Sequence, residues 1–265
     1  MTYKIVFLDI DGTILPPNHV IATSTKEAVK ALQEKGILVW IATGRPLLDT
    51  IHVAKELGIE NHITFNGGLA TIKGTEVFNL PYSDEKKNFI YSNVEFWGHE
   101  LVVSDKEGSY IVSSQNERMM DYLSGLELTL EVEGGLKGRE QKVKEKSILG
   151  STIILNERKE KDIYESNFNI QLVESNVGTQ LAYDITSTDI HKASAIQRVI
   201  EHLGIKPEEV VAFGDGMNDK EMLSFVGQGV AMGNANPLLH EYANFVTSSV
   251  EEDGIWKGLK TLGLI

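Results

Sequence analysis

Two carboxylates, Asp9 and Asp11, stand two residues apart, directly after the apolar run Ile5-Val6-Phe7-Leu8 and just before Gly12. Residues two apart on an extended backbone point to the same side, so both acids can face one small volume. Like charges that close repel unless a cation or a shared proton relieves them. A single Asp beside Gly would read as an ordinary turn, but a pair of acids at the end of a core strand is costly without a role. Two more polar clusters follow apolar runs: Thr43-Gly44-Arg45 after residues 37–42, and Gly214-Asp215-Gly216-Met217-Asn218-Asp219 after residues 210–213. Lys192 is the cation to bring to them. Carboxylates without His or Cys partners suit a hard, oxygen-seeking ion such as Mg²⁺. A Thr hydroxyl, Gly N–H groups at a helix start and a Lys suit a phosphate.

Together these groups describe phosphoryl transfer. Asp9 attacks phosphorus to give an aspartyl-phosphate. Asp11 protonates the leaving alcohol and then deprotonates the water that breaks the intermediate. Mg²⁺ and Lys192 neutralise charge on the transferring group, and Asp219 orients Lys192 or a metal-bound water.

The elements that must position these residues read as strand, helix, strand, helix. Residues 5–8 form a strand buried on both faces, as in a parallel sheet. Ser24 and Glu27 have capping-box spacing for a helix that ends at Gly36. A second buried strand over residues 37–42 leads to Pro46, which opens a helix closed by Gly58. This is the grammar of a doubly wound parallel sheet, a Rossmann-like α/β core, whose ligands bind at the carboxyl ends of its strands.

Residues 69–80 read as a hairpin turning at Lys73-Gly74. From about Tyr82 the grammar changes to a polar helix over residues 84–97 and strands over 101–103 and 110–112. A helix near 116–123, an alternating stretch over 126–132 and a charged linker over 134–146 follow, then two more strands. Hairpin signals among helices indicate an antiparallel α+β unit inserted in the first domain. The parallel grammar returns near Asp184. The expected division is a core of residues 1–81 and 184–265 with an inserted cap of residues 82–183.

Composition narrows the function. A net charge of −13 argues against binding nucleic acid backbones or an anionic membrane surface. The absence of cysteine excludes thiol nucleophiles, disulfides and Cys-zinc sites. No apolar run approaches the ~18 residues of a membrane helix, and nothing precedes the first strand that reads as a signal peptide. A cytoplasmic location is expected.

The motifs carry a family resemblance. Asp9-Ile10-Asp11-Gly12-Thr13, Thr43-Gly44-Arg45, Lys192 and Gly214-Asp215-Gly216-Met217-Asn218-Asp219 resemble, in order, the four motifs of the haloacid dehalogenase-like phosphatases. The insertion between the second and third resembles the type IIB α/β cap of the Cof-type subfamily, which acts mainly on sugar phosphates and other small phosphorylated metabolites. Asn66-Gly67-Gly68 and Asp253-Gly254-Ile255 are also similar to that subfamily. The resemblance spans the chain, with the cap matched by placement and element order.

It implies Asp9 as nucleophile and Mg²⁺ ligand, Asp11 as acid/base and ligand through its carbonyl, and Asp215 as third protein ligand. Thr43, Gly44, Lys192, Asn218 and the Ile10 N–H would hold phosphate. Arg45 can reach a substrate or cap its own helix, and Asn66 and Gly67 are candidate substrate contacts. Where the family usually has Gly after the lysine, this chain has Ala193, which predicts a tighter helix start with the chemistry retained.

Other signals read as structural. The glycines of residues 227–233 lack the spacing and context of a dinucleotide loop. The seven His residues have no metal-ligand spacing, and only His191, beside Lys192, has a case for the site. Lys137, Arg139, Lys142, Lys144 and Lys146 alternate with Glu140 and Glu145, as in a solvated linker. Phe96 and Trp97 read as core. Two other functions use similar residues: a signalling module storing an aspartyl-phosphate, and a phosphometabolite binder without turnover. Motif order and an insertion of about 100 residues disfavour the first, and the filled catalytic positions disfavour the second.

Overall fold

The computed structural model describes residues 3–112, 119, 143, 145–175 and 181–265. It divides into two compact units, one comprising residues 1–44, 50–79 and 191–265 and the other residues 45–49 and 80–190. In chain order the first unit begins with β1 (Ile5–Leu8), α1 (Thr23–Glu34), β2 (Leu38–Ala42), α2 (Leu47–Leu57), β3 (Asn61–Thr64), β4 (Leu69–Ile72) and β5 (Thr75–Asn79). The second unit supplies α3 (Asp84–Trp97), β6 (Glu100–Ser104), β7 (Ser109–Ile111), β8 (Gly150–Ile154), α4 (Lys161–Glu165), β9 (Ile170–Glu174) and β10 (Ala182–Ser187). The first unit resumes with α5 (Lys192–Leu203), β11 (Val210–Gly214), α6 (Lys220–Phe225), β12 (Gln228–Ala231), β13 (Phe245–Val246) and α7 (Gly254–Thr261).

The first unit is an eight-stranded sheet in the order β13-β12-β11-β1-β2-β3-β4-β5. β13 through β3 are parallel, and β4 and β5 turn back antiparallel. All four β1 side chains are closed to solvent, and their alternation explains why the run is uniformly apolar. Val6 and Leu8 pack among Ala28, Val29 and Leu32 of α1 and Ile255 and Leu259 of α7. Ile5 and Phe7 pack on the other face among Ile196 and Val199 of α5 and Met222 and Leu223 of α6. A strand covered on both faces needs a hydrophobe at every position.

After β1 the chain builds outward through β2 and β3, and it later builds the other way through β11 and β12. The order therefore reverses at β1 and β11, which places a binding crevice at their carboxyl ends. The hairpin expected at Lys73-Gly74 joins β4 and β5, with both residues at positive φ (48° and 77°). That geometry matches the right-handed twist of the paired strands.

The second unit is a five-stranded antiparallel sheet in the order β7-β6-β8-β10-β9. Ile90, Tyr91 and Val94 of α3 pack with Leu101, Ile153, Leu172 and Tyr183 on one face of it. Ser83 caps α3 by accepting the Lys86 N–H, and Gly98 ends it at φ 65°.

Several expectations are corrected. β10 pairs antiparallel with β8 and β9, so the first unit resumes at His191 and not near Asp184; alternation along a strand does not say which sheet accepts it. The helix after the first loop has Ala22 at its N-cap with no side-chain cap, because the Ser24 hydroxyl instead donates to Asp253 Oδ1 at 2.5 Å. Phe96 and Trp97 are 79% and 45% exposed, and their rings pack on each other. The helix near 116–123 and the stretch over 126–132 lie outside the described residues, apart from Met119. Most of the charged linker does too, but Lys146 is fastened: its ammonium donates to Asp105, Glu107 and Tyr110. Among the described residues no helix is long and apolar enough to cross a membrane.

Candidate active site

Three neighbouring parallel strands deliver the polar clusters to one edge of the first unit. Asp9 follows β1, Thr43 follows β2 and Asp215 follows β11. The Asp9 N–H donates to the Phe213 carbonyl at 3.1 Å, which extends the β1–β11 ladder by one step into the site. Thr43 N–H likewise donates to Ile63 O at 2.9 Å. The chain then turns tightly around Ile10, whose carbonyl accepts the N–H groups of Thr13, Ile14 and Leu15. Gly12 has φ +76°, and a Cβ there would collide with the Asp215 carboxylate, so glycine is required on both counts.

Lys192 is the first residue of α5 and has 1% exposure. Its ammonium lies 2.7 Å from Asp9 Oδ1 and 2.6 Å from Asp219 Oδ1. Asp219 Oδ2 accepts the N–H groups of Asp215 and Gly216, each at 3.0 Å. Thr13 Oγ1 donates to Asp215 Oδ1 at 2.9 Å. Carboxylate oxygens of Asp9, Asp215 and Asp219 come within 4.8 Å of one another. Asp11 stands just outside that group, half-buried in a one-residue bridge to Leu15.

The electrostatics follow from crowding. Burial pushes the Asp9 carboxyl well above its ordinary range; Lys192 opposes this, while Asp219, Asp215 and Asp11 add to it. Asp215 is pushed up to about 7, first by burial and then by Asp219, against the Thr13 hydrogen bond. Burial works to lower Lys192, but the Asp219 and Asp9 carboxylates outweigh it and keep the ammonium charged. Three acids thus share one buried cation. The donor set is all oxygen, and a further hard cation would relieve the excess, so the residues fit Mg²⁺.

The remaining predicted residues are placed as follows. Asn218 donates through Nδ2 to Asn66 Oδ1 at 3.2 Å, and the Asn66 N–H donates to Thr43 O at 3.0 Å. Gly44 lies against the Asn66 amide and Gly67 against the His191 carbonyl. Arg45 is half-buried between Gly44 and Pro46, before α2. Asp219 makes the ion pair with Lys192 that was foreseen as one of its two tasks. His191 is the N-cap of α5, its ring accepting the Ser194 N–H, and Ala193 is buried in the first turn behind it.

Sequence reasoning missed Asn234. Its amide donates to Gly12 O at 2.9 Å and accepts from Val250 N at 2.8 Å, which braces the turn after β1. Its place two residues after Met232, just past the end of β12, was the available signal.

The profile described as haloacid dehalogenase-like hydrolase matches residues 6–259. The chain belongs to the haloacid dehalogenase-like hydrolases. The hydrolase is 30% identical over 267 residues to YkrA of Bacillus subtilis, whose name assigns it provisionally to the phosphatases, with 100% of both chains covered. It is 28% identical over 252 residues to the HMP-PP phosphatase of Serratia proteamaculans, covering 89% of this chain and 86% of the relative. Among solved structures it is similar to the subclass IIB sugar phosphatase BT4131, with a TM-score of 0.84, 28% identity and coverage of 99% and 100%. Its parallel-sheet α/β core is that of this fold, and these three relatives are phosphatases by name.

Proposed function

We propose that this phosphatase is Mg²⁺-dependent and hydrolyses small phosphorylated metabolites, sugar phosphates foremost, through an aspartyl-phosphate on Asp9. The observation that carries the reading is the buried Asp9–Lys192–Asp219 chain beside Asp215. It gives one carboxylate a fixed orientation, a charge partner and an all-oxygen ion site on the same edge of the sheet. The names of the Serratia and BT4131 relatives support a small phosphorylated substrate. The second unit takes the part of a cap that selects among leaving groups. The negative net charge supports neither a nucleic acid nor a membrane as partner, and the cytoplasm is the proposed location.

In this mechanism an Asp9 oxygen bonds to phosphorus as the bond to the leaving oxygen breaks. Asp11 gives its proton to that oxygen, and the alcohol departs. Asp11 then takes a proton from water as the water oxygen bonds to phosphorus and the Asp9–phosphorus bond breaks, releasing inorganic phosphate. Lys192, Thr43, Asn218 and the N–H groups of Ile10 and Gly44 hold the phosphoryl oxygens in place. Asp9, the Asp11 carbonyl and Asp215 would hold Mg²⁺, which would supply positive charge to offset that of the transferring group.

Steady-state hydrolysis of p-nitrophenyl phosphate with Mg²⁺ and with EDTA tests the reading. Many turnovers per enzyme, abolished by EDTA, are expected. A single labelled acyl-phosphate without turnover would instead favour a phosphorylation switch. A kcat/KM screen across phosphorylated metabolites then ranks the leaving groups.

A further inference from the structure

The turn after β3 is strained in an unusual way: Phe65, Asn66 and Gly67 all have positive φ, at 54°, 52° and 108°. Left-handed backbone is unfavourable for a bulky residue such as Phe65 and is tolerated best by Asn and Gly. Such strain persists where surrounding contacts over-determine it. Here the contacts all lead to the phosphate-holding groups. The Asn66 N–H donates to Thr43 O at 3.0 Å. The Asn66 side chain lies so close to Gly44 that a Cβ there would be 3.0 Å from both its terminal atoms. Asn66 Oδ1 accepts from Asn218 Nδ2 at 3.2 Å. A Cβ on Gly67 would stand 2.6 Å from the carbonyl of His191, the N-cap residue directly before Lys192.

One three-residue turn therefore touches the loops after β2 and β11 and the start of α5, each of which carries part of the cradle. Asn218 has two amide hydrogens, and giving one to Asn66 fixes the plane of the amide and the direction of the other.

We propose that Asn66 is a positioning residue that sets the anion cradle by orienting the Asn218 amide. This departs from the expected direct substrate contact, and it rests on the phosphatase reading for the identity of the anion. Asn66→Gly is the informative variant, because glycine keeps the left-handed backbone without a Cβ and removes only the amide. Asn218→Ala removes the group that Asn66 orients.

The test is a double-mutant cycle on these two positions, read by inorganic phosphate as a competitive inhibitor and, independently of turnover, by phosphate binding in calorimetry with Mg²⁺ present. Each single variant is expected to weaken phosphate by about tenfold. The double variant is expected to be no weaker than the poorer single, since groups acting in series are not additive. The Asn66→Gly melting temperature should stay within about 2 °C of the parent, where loss of the turn itself would move it further. Losses that multiply in the double variant would overturn the proposal by making Asn66 an independent contact, and so would an Asn66→Gly variant with parental phosphate affinity. A parent protein that binds phosphate but turns over no phosphomonoester would sink the phosphatase reading while leaving the cycle interpretable.

Discussion

The Asp219 carboxylate stands 2.6 Å from the Lys192 ammonium, with both side chains fully closed to solvent. The other Asp219 oxygen accepts two backbone N–H groups from the turn after β11. One carboxylate thus ties the first residue of α5 to that turn and aims Lys192 at Asp9, 2.7 Å away. A flexible four-carbon side chain becomes a fixed charge, which is the form in which it can stabilise a developing phosphoryl anion without reorganising.

Asp219→Asn keeps the shape and an acceptor oxygen but loses the charge that aims Lys192. Activity should fall about ten- to a hundredfold, the usual cost of losing such a support. Asp219→Ala should also cost about 3–5 kcal/mol in urea unfolding, because a buried ammonium loses one of its two carboxylates and two N–H groups lose their acceptor. A parental midpoint for the Ala variant would show that the pair is not structural.

Asp9→Asn should reduce kcat by at least about a thousandfold while the protein remains folded. Burial and the neighbouring acids penalise the Asp9 charge, so in EDTA the Asn variant should melt no lower than the parent. Mg²⁺ should raise the parent's melting temperature and raise that of the variant less, because binding to the folded state stabilises by mass action. Parental kcat in Asp9→Asn would remove Asp9 as nucleophile.

Without metal, the contribution of Asp9 and Asp215 to stability should fall as pH rises between about 4 and about 7. Asp215 is raised from 3.8 to about 7 and Asp9 is raised in the same direction, so the folded state binds more protons than the unfolded chain across that window. The contribution is fully present below the unfolded value and is lost as pH climbs through the folded one, at up to about 1.4 kcal/mol per pH unit for each group. With saturating Mg²⁺ the slope should flatten, since the ion takes the place of the protons. Urea midpoints across pH 4–8 in EDTA and in Mg²⁺ check this; the opposite slope in EDTA would contradict the crowding described above.

In the second unit, Phe96→Ser should change stability by no more than about 0.5 kcal/mol, because Phe96 is 79% exposed. Ile153→Ala, at 0% exposure among Leu101, Tyr164 and Tyr183, should cost about 2–5 kcal/mol. Denaturation followed by tyrosine and tryptophan fluorescence separates the two.

The sequence by itself determined which residues end the core strands. An apolar run that stops at Asp9, Thr43 or Asp215 states locally that a polar cluster sits at a strand terminus, and parallel topology places those termini on one edge. The hairpin at Lys73-Gly74 was legible for the same reason: its partners lie within a few residues. Tertiary structure alone decided the rest. Ser24 forgoes its local cap for Asp253, 229 residues away, and Thr13 finds Asp215 across 202 residues. β10 joins the second sheet because strand pairing is a contact between distant segments, which a period of two cannot name. In the chain Asn66 reads as a candidate substrate contact, and only the folded sheet brings it against Gly44 and Asn218. Local chemistry chooses what a residue can offer; long-range packing chooses who receives it.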